Sequence, residues 1–135
     1  MAGRMEGCRG YEKGREVTTG NPVDLDIVGV VESPLRRVDE APRQPDEGAP
    51  AAWLVIEPAL QDALRGLEQG TRIVVVTWLH LADRTMLLVH PRGDASRPEQ
   101  GVFSTRSPHR PNPIGLHTVT VRAVEGHRVL VDQLE

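Results

Sequence analysis

The chain has 135 residues, is 39% apolar and 26% charged, and carries a formal net charge of −3 with histidine neutral. That leaves room for one domain around one core and excludes a polyanion binder acting through bulk charge, so any nucleic-acid contact must come from a local basic patch. The single cysteine, Cys8, excludes an intrachain disulfide and a cysteine zinc site, while Trp53, Trp78, Phe103 and Tyr11 are the whole set of large aromatics, which predicts an aliphatic core and argues against base-stacking platforms of the RRM or OB type, which need several exposed rings.

Residues 1–22 scatter Gly3, Gly7, Gly10, Gly14 and Gly20 among charges with hardly an apolar pair. Such a segment buries too little to offset ordering, so a disordered extension is expected there, with the folded domain at 23–135. No apolar run approaches about 18 residues and no signal-peptide pattern opens the chain, which reads as a soluble cytoplasmic protein. "DLDIVGVV" predicts a strand from about Asp26 to Val31. The proline-rich, mixed-charge stretch 32–52 is long for a loop inside a compact domain, and loops of that length are usually either disordered or functional.

"WLVIE" is a short strand. "PALQDALRGLEQG" predicts a short helix, with Pro58 in its first turn, Leu60, Ala63, Leu64 and Leu67 on one face, and Gly70 at its end. "TRIVVVTWLHL" is the most apolar run of the chain. "ADRT" then turns, and "MLLVH" is expected to return as its antiparallel partner. In "LHTVTVRAV", Val119, Val121 and Ala123 alternate against Thr118, Thr120 and Arg122. "EGH" turns tightly into a last strand, "RVLVDQLE". About six strands and one helix make the fold mainly β: a small antiparallel β-barrel with one short helix and long functional loops.

"TRSPHRPNPIG", residues 105–115, is unlike a flexible linker. Pro108, Pro111 and Pro113 fix their own φ and push Ser107, Arg110 and Asn112 toward extended backbone. Between Gly101 and Arg122 there is no acidic residue, while Arg106, His109, Arg110, His117 and Arg122 supply positive or protonatable groups. A loop of fixed shape carrying such groups suits an anionic or polar ligand.

Here the residues become recognisable. "GVFSTRSPHRPNPIGL" resembles the G-V-F-A-T-R-S-P-x-R-P-N-P-I-G-L signature of the TrmO/TsaA-like (YaeB-type) family, with Ser104 in place of the usual alanine. "IVGVVESPL", "APRQP" and "VVVTWLHL" resemble further family segments in the same order. The resemblance runs from about Asp26 to Glu135. It implies a β-barrel S-adenosylmethionine-dependent tRNA methyltransferase, usually a homodimer. In bacterial members the methyl group goes to the exocyclic amine nitrogen of threonylcarbamoyl-adenosine, next to the anticodon of threonine tRNA.

By resemblance, the cofactor site draws on Gln44, Pro45, Asp46 and Glu47, on His80 and Leu81, on Arg106 and Leu116, and on Asp132, Gln133, Leu134 and Glu135. Within that set Arg106 is expected to pair with a carboxylate or phosphate and Leu116 to pack on adenine. Backbone groups of Asp132 to Leu134 are expected to bond the adenine edge. A carboxylate at Asp46 or Glu47 would favour the sulfonium by Coulomb attraction. Arg43, His109, Arg110 and Asn112 are candidates for the substrate, and Arg36 and Arg37 could join His109 and Arg110 in a phosphate patch. No residue is singled out for catalysis.

No G-x-G-x-x-G follows a strand and there is no P-loop, so a Rossmann enzyme is not supported. The histidines show no pair at a metal-site spacing, and no metal is expected. "PHRP" is also a P-x-x-P of the type that SH3 and WW domains bind, an interaction-module reading. The family continues past this point into an Asp-Gly-Thr-Pro-Val-Leu-Asp-Ile-Lys-Pro-Tyr segment, and here the sequence stops at Glu135. That makes a cofactor-binding, catalytically impaired or regulatory homologue the alternative to the enzyme.

Overall fold

The computed structural model describes residues 25–34 and 48–134. The expected extension, 1–22, lies outside the described residues. The remainder falls into two compact units, a loop-rich one, Trp78–Gly115, and a sheet-forming one that holds the described residues before Trp78 and after Gly115.

The sheet unit is built on five strands. Among its strands are β1 (Gly29–Glu32), β2 (Ala52–Ile56) and β3 (Arg72–Trp78), and later in the chain β6 (Ile114–Glu125) and β7 (Arg128–Val131), in the order β1-β2-β7-β6-β3. The sheet curls as a half-barrel, mainly β as expected, with β1 and β3 at its two edges. β1 pairs antiparallel with β2, β2 with β7, and β7 with β6. Gly126, with φ at 61°, makes the β6–β7 turn that "EGH" announced.

Alternation selects the core. Ala52 and Leu54 of β2, Val119 and Val121 of β6, and Val129 and Val131 of β7 are buried together with Leu134, and every one is aliphatic. The alternation of β6 holds through Val121 and then slips. A bulge separates the Val121–Val131 pair from the Ala123–Leu130 pair, and Val124 takes the place against the core that strict alternation would give to Ala123.

Two other elements differ from the sequence expectation. Pro58–Leu64 is a 3-10 helix rather than an α-helix, and no residue in it is fully buried. Leu64, its last residue, and Leu67, beyond the turn that follows, are half-buried, while Leu60 and Ala63 are exposed. The "MLLVH" segment does not return along β3. Only β4 (Leu88–Val89) forms there, and it pairs with β5 (Gln100–Gly101) as a separate ribbon. The "ADRT" turn accounts for the detour: Asp83 Oδ1 accepts both the backbone N–H and the hydroxyl of Thr85, a side-chain-closed turn that releases the chain from β3. Those two bonds also hold the Asp83 carboxyl below its usual range.

Candidate functional site

In the loop unit the proline stretch is stitched down along its whole length. Val102 is buried and anchors a 3-10 turn, Val102–Ser104. The Thr105 N–H and hydroxyl both donate to the Val102 carbonyl, at 3.2 and 3.0 Å. The Ser107 N–H donates to Thr105 Oγ1, and the His109 N–H to Ser107 Oγ. Ser104, alanine in the family signature, uses its hydroxyl to donate to the Gly101 carbonyl at 2.8 Å.

Prolines contribute carbonyls but no N–H, so the loop must find donors elsewhere. Leu79 N–H donates to Pro113 O at 2.8 Å, and Arg84 Nε donates to Pro111 O at 2.7 Å. Arg84 also lies over the Trp78 ring, 5.4 Å from its centroid. The Asp83 N–H donates to His109 Nδ1 at 2.9 Å, which leaves the neutral ring its proton at Nε2.

The two arginines of the motif have separated in role. Arg110 folds back on its own loop: Nε donates to Ser107 O at 2.8 Å, and Nη2 to Thr105 O at 2.6 Å and to Val102 O at 3.3 Å. Arg106 is exposed and has no partner among the described residues. The guanidinium that caps carbonyls is therefore Arg110, and the one presented outward is Arg106. His109 is half-buried and Asn112 exposed. His80 and Leu81 stand exposed in the turn after β3, so His80 is not a core histidine.

In the sheet unit, β6 inverts the order that hydropathy would give. Leu116 is 62% exposed, whereas His117 is buried and shares a 2.8 Å hydrogen bond with Thr77 Oγ1 on β3. Burial lowers the His117 pKa, so the ring is neutral at pH 7. At the end of β7, Asp132 is tied on both sides. Oδ1 accepts the Thr120 N–H at 2.7 Å, Oδ2 accepts from Arg122 at 2.9 Å, and the Asp132 N–H donates to Thr120 O. The Leu134 N–H donates to Pro50 O, and its side chain belongs to the core. Of the backbone groups expected to meet an adenine edge, the N–H groups of Asp132 and Leu134 are thus engaged. The exposed Gln133 between them sits in the left-handed region, φ 44°, a costly conformation for a residue other than glycine.

Arg36, Arg37, Arg43, Gln44, Pro45, Asp46, Glu47 and Glu135 lie outside the described residues. Of the remaining candidates, His80, Leu81, Arg106, His109, Arg110 and Asn112 belong to the loop unit, and Leu116, Asp132, Gln133 and Leu134 to the sheet unit. An open depression beside the 3-10 helix is lined by residues such as Gln61, Leu64, Leu67 and Val124. None of the candidates borders it, and no set of reactive groups converges there. Sequence reasoning missed Asp83, Arg84 and Trp78 as the props of the loop. The Asp-x-Thr spacing of "ADRT" was the available signal for the first of them.

Residues 30–135 match the model of the tRNA-methyltransferase O N-terminal domain. The chain belongs to that family. A probable S-adenosyl-L-methionine-binding protein of Methanocaldococcus jannaschii is 44% identical over 78 residues, covering 55% of this chain and 62% of the relative. Another from Methanothermobacter thermautotrophicus is 48% identical over 89 residues, 66% of this chain and 64% of the relative. The crystal structure of TrmO from Pseudomonas aeruginosa aligns at a TM-score of 0.65 with 27% identity, over 84% of this chain and 50% of that one. The chain thus spans under two thirds of these relatives and about half of the solved TrmO chain. Among the described residues, no helix is long and apolar enough to cross a membrane.

Proposed function

We propose that this chain binds S-adenosyl-L-methionine and acts as a methyltransferase on tRNA. The acceptor we infer is the exocyclic amine nitrogen of threonylcarbamoyl-adenosine next to the anticodon of threonine tRNA. The family and the names of its relatives support the class. The observation that carries the reading in this chain is the division of labour between Arg110, committed to loop carbonyls, and Arg106, an uncommitted guanidinium on the rigid loop.

The described residues fit the chemistry of the cofactor. Arg106 offers a cation, carried on a fixed backbone, to the amino-acid carboxylate. Leu116 offers a bare aliphatic surface to adenine, and the Gln133 amide offers a donor to its edge. His80 and Leu81 are exposed and available for contact. Gln44 and Pro45 would add contacts, and Asp46, Glu47 or Glu135 would place a carboxylate near the positive charge of the sulfonium. S-adenosylmethionine supplies a methyl group on a good leaving group, so the protein's task is in-line positioning of the amine. Arg43, His109, Asn112 and the outer face of Arg110 would meet the RNA.

From the proposed tRNA acceptor we infer a cytoplasmic protein. A homodimer is the assembly we infer, supported by the exposed Val74 and Val76 on the edge strand β3. Calorimetric titration of S-adenosylmethionine into the full chain, with Arg106→Ala alongside, tests the binding reading. Binding that the variant loses is expected, and equal binding by both overturns the assignment of Arg106. Methyl transfer to threonine tRNA, with and without the threonylcarbamoyl group, then tests the acceptor. Cofactor binding without transfer to either RNA would favour the regulatory homologue.

A further inference from the structure

The sequence contains one phenylalanine, and the fold leaves it bare: Phe103 is 80% exposed. A phenyl ring is among the largest apolar groups a chain can bury, so this placement is at odds with a chain so short of aromatics. Nor does the ring ride on a loose tip. Its neighbour Val102 is buried, and the Val102 carbonyl accepts from the Thr105 N–H, the Thr105 hydroxyl and Arg110 Nη2. The Ser104 hydroxyl bonds the Gly101 carbonyl on the other side. The backbone beneath Phe103 is thereby fixed while the ring is left open.

Three features of the loop unit lie along the backbone that carries that ring. Leu87 accepts the Val102 N–H through its carbonyl, Leu88 is the register partner of Gly101, and both leucines are exposed. At Gly101 itself a Cβ would meet nothing within 4 Å, so the ribbon next to the ring is open. The charge of the segment is one-sided, since no acidic residue occurs from Gly101 to Arg122 and Arg106, three residues on, has no partner among the described residues. An exposed flat ring on a rigid backbone in a positive field is what single-stranded nucleic acid recognises, through base stacking and phosphate attraction together.

We propose that Phe103 is a stacking platform for an unpaired nucleobase of the RNA substrate. The proposal rests on the RNA acceptor argued above and adds the residue that positions it. Base-on-ring stacking needs a π-face, whereas a purely apolar contact or a second copy of the chain does not. That difference decides the test.

The experiment uses the full chain and a fluorescein-labelled RNA stem-loop bearing the threonine anticodon, read by fluorescence anisotropy, with a blunt RNA duplex as control. Phe103→Ala should weaken stem-loop binding by about 5- to 100-fold, Phe103→Trp should restore it to within about 3-fold of the wild type, and Phe103→Leu should behave like alanine. Cofactor affinity and sedimentation behaviour should be unchanged in all three. Equal RNA affinity for the wild type and Phe103→Ala, or full rescue by leucine, overturns the stacking platform while leaving the RNA reading intact. A change of oligomeric state in Phe103→Ala overturns it in favour of a second copy covering the ring. A wild-type chain that binds the cofactor but no RNA overturns the RNA reading, and the platform with it.

Discussion

Replacing Arg110 by alanine and Arg106 by alanine should give opposite phenotypes, although the two residues are four apart in one loop. Arg110 donates to Ser107 O at 2.8 Å and Thr105 O at 2.6 Å, with a longer contact to Val102 O. Hydrogen bonds from a charged donor contribute about 1.5–3 kcal/mol each. The Val102 carbonyl keeps its bonds from Thr105 in the variant, so the third contact adds little. Arg110 is only half-buried, which puts the loss at the lower end, about 2–4 kcal/mol for the pair. For a domain of this size that lowers Tm by roughly 10 °C. Arg106 is exposed and makes no hydrogen bond or ion pair among the described residues, so Arg106→Ala should change stability by less than about 0.5 kcal/mol while cofactor binding is lost. Thermal denaturation followed by circular dichroism, with calorimetry on the same preparations, reads both. If Arg110→Ala melts with the wild type, or Arg106→Ala melts as early as Arg110→Ala was expected to, the division of roles is wrong.

Leu116→Ala should leave the melting temperature nearly unchanged, because the side chain is 62% exposed, yet weaken cofactor binding measured by calorimetry by about tenfold, the scale of one large apolar contact. Asp132→Ala should cost about 2 kcal/mol in urea denaturation by stranding the Thr120 N–H, whereas Arg122→Ala, removing an exposed partner of the same carboxylate, should cost less than about 1 kcal/mol. His117 has its pKa lowered by burial, so the unfolded chain takes up its proton first as pH falls. The stability it contributes should be complete above the unfolded value near 6.5 and be lost as pH falls through the folded one. Chemical denaturation from pH 8 to 5 should show that decline in the wild type and a shallower one in His117→Asn.

Much of the sheet was legible because period-two alternation is a local property. Val119 and Val121 share the inward face that the alternation of β6 put them on. The slip after Val121 was not legible, since a bulge is set by how β6 registers against its partner β7 and leaves no mark in the alternation of β6 itself. The β4–β5 ribbon was misread for a related reason: its pairing partner is chosen by tertiary fit. In the candidate site, the prolines declared a loop of fixed shape, yet which arginine would staple it and which would face out depends on where the carbonyls of residues 102, 105 and 107 converge. The exchange of Leu116 and His117 on β6 runs against hydropathy and only makes sense once Thr77 is seen opposite the ring. Local rules failing at such a point is what a functional surface produces.

The charge of the proline loop follows from its backbone. Three prolines remove three N–H donors from a short stretch while keeping every carbonyl, so the loop has more acceptors than it can satisfy internally. Donors with reach are needed, and a guanidinium supplies several in a planar fork. Arg84 and Arg110 meet that need at Pro111, Ser107 and Thr105. An acidic side chain in the same stretch would compete for those guanidiniums and loosen the staple, which gives a structural reason for the absence of Asp and Glu from Gly101 to Arg122. With no anion to pair it among the described residues, Arg106 is the loop's cation for an external one. The rigidity of the loop and its appetite for an anionic ligand are therefore one property. A carboxylate placed inside the loop, as in Asn112→Asp, should weaken both together.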